Sequence, residues 1–165
     1  MFKKILVAVC FFAFLASTSA QKAPVTKMYA YSQATLPGKK PSGNRTDPDL
    51  KKESFRLFVS VTGKEVINIT GVWIKEEYYR FTVSSKLKTP IKMGQPDDGI
   101  ILVPKTNNKV LEIMLKGKQE PAPRPGTKLG TLMKMNAVVI SYSWKGKQYF
   151  ITTKTIKELP PFIAM

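Results

Sequence analysis

The side chains that most often carry enzyme chemistry are nearly absent from this chain of 165 residues. It contains no His and a single Cys, Cys10. Without histidine, the chain cannot form a Ser-His-Asp or Cys-His nucleophile system. It also lacks the set of histidine and cysteine ligands that an ordinary zinc or copper site requires. Asp97 and Asp98, between Gly94 and Gly99, could supply oxygen ligands to calcium. Adjacent acidic residues in a glycine-flanked loop are typical of a turn, so we predict no metal site and no cofactor.

Carboxylate chemistry of the glycosidase kind needs two acidic groups that face each other across the substrate. Glu76 and Glu77 form a second acidic pair, but no further acidic cluster lies near either pair in the sequence. A histidine-free enzyme that uses carboxylates or lysine is therefore the third of three functional hypotheses.

The N-terminus has the three parts of a cleavable secretory signal peptide, which we place at residues 1–20. Lys3 and Lys4 precede an apolar run of 12 residues at positions 5–16, and small side chains lead to Ala20. That run is shorter than the roughly 20 residues that span a bilayer, and no later segment is long and apolar enough, so we predict no membrane span in the mature chain. Because Cys10 would leave with the signal, the mature chain would be cysteine-free. We predict an exported protein of the bacterial periplasm or extracellular space.

Alternating apolar and polar residues, the pattern of half-buried strands, recur throughout residues 21–165. Phe55, Leu57, Val59 and Val61, for example, alternate with polar neighbours, while no segment keeps an apolar stripe of helical period. We predict one all-β domain, an antiparallel two-sheet β-sandwich of general immunoglobulin-like form. A small closed β-barrel is the alternative.

Two hairpins and two long loops complete the predicted domain. One hairpin joins the run 100–103 to the alternating residues 111–115, and the other joins 133–144 to 148–156 across Lys145-Gly146-Lys147. Residues 37–53 and 117–130 are polar and rich in proline, which lacks the donor that a central strand needs, so both are predicted to be loops.

The chain is strongly basic, with 27 Lys and Arg against 11 Asp and Glu and a net charge of +16. Loss of Lys3 and Lys4 with the signal would leave +14. Such a charge favours salt-screened association with an anionic surface or an acidic partner protein. Arginine is the usual reader of base edges, and the mature chain has only four, Arg45, Arg56, Arg80 and Arg124. We therefore predict no sequence-specific nucleic-acid binding.

Lysines and aromatic rings near two predicted strands form the candidate binding site. Lys86, Lys88 and Lys92 share one parity along an extended segment, which would place them on one solvated face. Lys145 and Lys147 flank the last hairpin turn, close to Trp144 and Tyr149, a mixture of cations and rings that suits an anionic or carbohydrate ligand. The competing interpretation makes the lysines solvated edge residues and the rings part of the core. The methionines at 93, 114, 133 and 135 are expected to fill core gaps.

These observations favour an exported, non-catalytic binding or adaptor module that associates with an anionic envelope or extracellular component. The second hypothesis is a structural subunit that docks on another exported protein through a strand edge or the Pro-rich loop 117–130.

Overall fold

A computed structural model describes residues 23–37, 52–85, 87–94 and 99–164 of the chain. The predicted signal at 1–20, Lys86, Asp97, Asp98 and most of the predicted loop 37–53 lie outside these ranges. The described strands and helix are β1 (Val25–Pro37), β2 (Lys52–Val61), β3 (Asn68–Ile74), β4 (Glu77–Ser84), β5 (Ile91–Met93), β6 (Ile100–Val103), β7 (Lys109–Lys118), α1 (Thr127–Met135), β8 (Val138–Trp144), β9 (Lys147–Thr153) and β10 (Lys157–Ala164).

Eight of the strands form one curled sheet in the order β10-β1-β2-β7-β4-β3-β8-β9. All neighbours are antiparallel except β1 and β10, which are parallel. β3 and β4 pair at two positions only, Trp73 with Tyr78 and Ile74 with Glu77, beside their connecting turn. The sheet folds over at this corner. One side, β10-β1-β2-β7-β4, is called the long layer below, and the other, β3-β8-β9, the short layer.

The main core lies between the two layers, on what we call their inner faces. Leu57, Val59 and Val61 of β2 face inward and are fully buried, as the alternation predicts. Val138, Ile140 and Tyr142 of β8 face them from the short layer, and the buried residues of both layers form one cluster. The predicted all-β sandwich is therefore confirmed, in a form that resembles a half-barrel because the layers are joined at the β3–β4 corner.

A second core lies on the outer face of the long layer. The β5–β6 hairpin covers this face, and Leu102 and Val103 of β6 are fully buried against Phe58, Tyr31 and Val110. The predicted hairpin between 100–103 and 111–115 is thus wrong. β6 pairs with β5, whereas β7 pairs with β2 and β4, because the connection 104–108 carries the chain from the outer hairpin into the main sheet.

The predicted loop 117–130 and the predicted strand 133–144 also need correction, because α1 occupies residues 127–135. Its large half-buried side chains are Leu129, Leu132 and Met133, spaced at the i, i+3 and i+4 positions that share one helix face. A stripe of a single turn is too short to stand out in the sequence. The helix contacts β8, and Met135 is 62% exposed rather than filling the core.

The long layer extends beyond the short layer at one end. β1 and β2 have 13 and 10 residues, against seven in each strand of the short layer. β10 lies beside β1 from Tyr31 to Pro37, along this extension. The inner-face residues that the extension carries are called the shelf, and they are Ser32, Ala34, Leu36, Glu53, Glu158 and Ile163.

Candidate functional site

Turns that are far apart in sequence meet at the end of the sandwich opposite the shelf. The amide of Asn108 donates to the Ser60 hydroxyl at 3.1 Å, which ties the connection 104–108 to the end of β2. The backbone N–H of Thr62 donates to Pro24 O at 2.8 Å and so ties the same end of β2 to the start of β1. The Thr89 hydroxyl donates to Thr106 O at 3.0 Å. The segment before β5 is thereby held at this end too.

Trp144 adds the β8–β9 turn to this group. Its indole N–H donates to the Glu65 carboxylate at 2.8 Å, across 79 residues of sequence, so the turn at 145–146 is fixed beside the loop 62–67. A hydrogen bond from a buried donor to an ionised acceptor is among the stronger ones in proteins. The indole therefore positions two lysine-bearing turns relative to each other.

This end is called the basic end, because lysines from every one of these turns collect there. Within the described residues they are Lys27, Lys64, Lys88, Lys105, Lys109, Lys145 and Lys147. Glu65 is the one acidic residue of the described chain at the same end, and its carboxylate accepts the Trp144 hydrogen bond. Like charges gathered on one surface produce a potential that attracts anions.

The structure brings three of the predicted site lysines together, namely Lys88, Lys145 and Lys147, and all three are exposed. Lys92 is exposed on β5, farther along the outer hairpin, while Leu87, Ile91 and Met93 pack inward on the second core. Sequence reasoning missed Lys27, Lys64, Lys105 and Lys109. Position was the available signal for two of them, because Lys105 and Lys109 lie between the runs 100–103 and 111–115 that were predicted to form a hairpin.

The rings proposed as a stacking platform are in the core or at its margin. Trp144 is 4% exposed, so its predicted role as a ligand-stacking surface needs correction. Its ring contacts Tyr149, with centroids 5.8 Å apart, and the Lys145 Nζ lies 4.6 Å from its centroid. Tyr149 is half-buried and stacks on Tyr142 at 5.6 Å. Burial, with Tyr149 as a lesser cause, raises the pKa of Tyr142.

The shelf end contains an open cleft of about 320 Å³. Its lining residues are Ser32, Ala34, Glu53, Lys75, Glu158 and Leu159. Lys75 reaches it from the β3–β4 turn, where Lys75 and Glu76 both have positive φ, 50° and 68°. The Lys75 Nζ lies 3.3 Å from the Glu53 carboxylate, so one acidic group of the cleft is already paired.

A second ionic cluster lies beside the cleft, at the end of β7. The Lys118 ammonium donates to Glu77 at 2.6 Å, and this hydrogen bond lowers the pKa of the Glu77 carboxyl. The Tyr79 hydroxyl donates to the same carboxylate at 3.2 Å. Burial, followed by the charge of Glu77, raises the pKa of Tyr79 to about 12.

This pKa predicts a late tyrosine ionisation. The folded protein disfavours the Tyr79 phenolate, so the stabilising contribution of Tyr79 is complete below its unfolded pKa of 10.0 and is lost as the pH rises through about 12. We expect the tyrosinate absorbance of the wild type to keep rising near that pH, and the Tyr79→Phe variant to lose one tyrosine's share of this late phase, because burial also raises the pKa of Tyr31 and of Tyr142. An identical titration of the two proteins would contradict the assignment.

In the part of the chain that the structure describes, no cluster of three or more Asp and Glu could hold a metal ion. The described portion also has no helix of the length and apolarity that a membrane crossing requires.

Comparison of the chain with models of protein families, with curated proteins and with solved structures gives no match.

Proposed function

We propose that this protein is an exported, non-catalytic binding module whose basic end holds an anionic polymer or surface component. The observation that carries the proposal is the convergence of seven lysines from five separate segments on one end of the sandwich. The Trp144–Glu65 hydrogen bond supports the proposal, because it holds two of these segments, the loop 62–67 and the turn at 145–146, beside each other.

The type of cation and its placement favour a polymer of repeated negative charge over a single anion. Lysine acts as a flexible point charge, whereas arginine suits bidentate recognition of one carboxylate or phosphate. The lysines at 64, 88, 105, 145 and 147 are exposed, and they lie in turns and connections or, for Lys147, at the first residue of β9. An extended polyanion contacts several such groups at once, and its binding releases condensed counterions.

Binding to dextran sulfate, with uncharged dextran as the control, tests the proposal. If about four lysines displace counterions, the affinity should fall roughly a hundredfold between about 50 mM and 200 mM salt. Amide chemical-shift changes should concentrate in residues 62–67, 104–108 and 145–147. Equal binding of the two dextrans, or binding indifferent to salt, would refute the proposal.

A structural subunit that docks through a strand edge is the second candidate, and β10 is the feature that favours it. β10 lies at the edge of the eight-stranded sheet, and Phe162 and Ile163 on it are 59% and 63% exposed. An edge strand offers unpaired backbone groups to an extended segment of another protein. This candidate predicts a complex that survives high salt and is lost in a Phe162→Ser, Ile163→Ser double variant, whereas polyanion binding would be retained by that variant.

A further inference from the structure

The cleft at the shelf has the lining of a small-ligand site, and it shares no residue with the basic end. Its volume of about 320 Å³ lies at the lower limit of typical ligand pockets. Lys75 covers one side from the β3–β4 turn, and the strands of the long layer form the floor. A short organic group, rather than a whole sugar chain, fits this space.

The charges that line the cleft leave one carboxylate uncompensated. Glu53 is paired with Lys75 at 3.3 Å, whereas Glu158 is exposed and forms no ion pair with any described residue. The neighbouring Glu77 is compensated by Lys118. Among the described residues that line the cleft, one negative charge is therefore left over, and it favours a cationic ligand.

Ser32 supplies a second polar group to the cleft. It is 7% exposed and lines the cleft, yet its hydroxyl has no hydrogen-bond partner among the described residues. A serine hydroxyl has two acceptor lone pairs, so an N–H group placed in the cleft would satisfy it.

Apolar side chains continue the same face of the shelf. Leu36 follows Ala34 on the inner face of β1, and it pairs in register with Ile163 of β10. The two side chains are 38% and 63% exposed. A ligand with its charge between Glu158 and Ser32 would therefore lay an attached hydrocarbon on Leu36 and Ile163, which removes apolar surface from water.

We propose that the shelf binds a primary ammonium group that is joined to an apolar chain. The Glu158 carboxylate and the Ser32 hydroxyl accept hydrogen bonds from the ammonium group, while Glu53 remains paired with Lys75. Leu36 and Ile163 contact the hydrocarbon part of the ligand. A free alkylamine and the side chain of a lysine in an extended peptide share this chemistry.

Amide NMR titrations of the full chain distinguish a free alkylamine from a lysine side chain of a peptide as the ligand. The probes are hexylamine, a capped pentapeptide with lysine between leucines, hexanol, and the same peptide with norleucine in place of lysine. We expect shifts at Ser32, Ala34 and Glu158 with one or both amines and not with the neutral probes. Hexylamine alone would identify a free amine as the ligand, and the peptide alone would identify a lysine side chain. Equal response to hexanol and hexylamine would overturn the proposal.

Variants test the assigned roles of the two polar groups. Glu158→Gln should weaken amine binding by about tenfold or more, because a charge-assisted hydrogen bond is lost, and Ser32→Ala should weaken it several-fold. Glu112→Gln is the matched control, since Glu112 pairs with Arg56 on the opposite face of the long layer. Unchanged amine affinity in Glu158→Gln would overturn the proposal. Dextran sulfate binding should be the same in all three variants, so failure here is distinct from failure of the proposed polyanion site.

Discussion

Replacing Gly71 with alanine is expected to destabilise the protein by about 3 kcal/mol, because the new methyl group would occupy the space of the Trp73 ring. A Cβ atom built at Gly71 meets Cη2 of Trp73 and lies 2.5 Å from its Cζ3 and 3.0 Å from the Ser141 Oγ. Trp73 is 6% exposed, so its indole, which lies across Gly71 on the outer face of the short layer, cannot easily move away. Urea unfolding of the two proteins measures the loss.

A control and a second background separate this clash from a general effect of alanine. Gly130 lies in α1 with open space around its Cα, so Gly130→Ala should be neutral or stabilising by up to about 1 kcal/mol. In a Trp73→Ala background the ring is gone, and Gly71→Ala should cost less than about 0.5 kcal/mol. An equal loss in both backgrounds would contradict the proposed contact.

The strands themselves could be predicted because their signal is local. Alternation at 55–61 and 138–144 assigns the inner faces of β2 and β8, and the structure buries the predicted residues. The partners of each strand could not be read in this way. By its pattern, the run 100–103 could form a hairpin with either β5 or β7. It pairs with β5, because Leu102 and Val103 are buried on the outer face of the long layer. α1 escaped prediction because its apolar stripe spans a single turn.

The candidate site was predicted in part, for a similar reason. Lys88, Lys145 and Lys147 were selected by their positions on predicted strands and turns, and the fold brings them to one end. Lys64 and Lys105 lie at that end through contacts across long sequence distances, such as Trp144 with Glu65. No local pattern reports such a contact. The cleft at the shelf depends on strand lengths and on the parallel pairing of β10 with β1, which no local sequence pattern indicates.

Replacing four lysines of the basic end with glutamine is expected to have the second large effect, a loss of polyanion binding without a loss of stability. Lys64, Lys88, Lys105 and Lys147 are exposed, and none of them forms an ion pair with another described residue. Their joint replacement by Gln leaves the Lys145–Trp144 contact and the Trp144–Glu65 hydrogen bond intact. Each lysine near an anionic surface contributes about 1 kcal/mol, so the dissociation constant should rise roughly 100-fold to 1,000-fold.

The matched control changes the net charge by the same amount elsewhere. Lys116, Lys134, Lys154 and Lys157 are exposed and lie away from the basic end, on β7, at the end of α1, after β9 and at the start of β10. Their replacement by Gln reduces only the long-range attraction, which salt screens strongly. We expect the control to weaken binding by a few-fold.

The decisive test of a binding site at the basic end is the dissociation constant for dextran sulfate of these two quadruple variants, measured beside the wild type at one salt concentration. The location of the charge should decide the outcome, with a loss of roughly 100-fold or more for the basic-end variant and a few-fold for the control. Equal losses in the two variants would show that net charge alone attracts the polymer, and would contradict a binding site at the basic end.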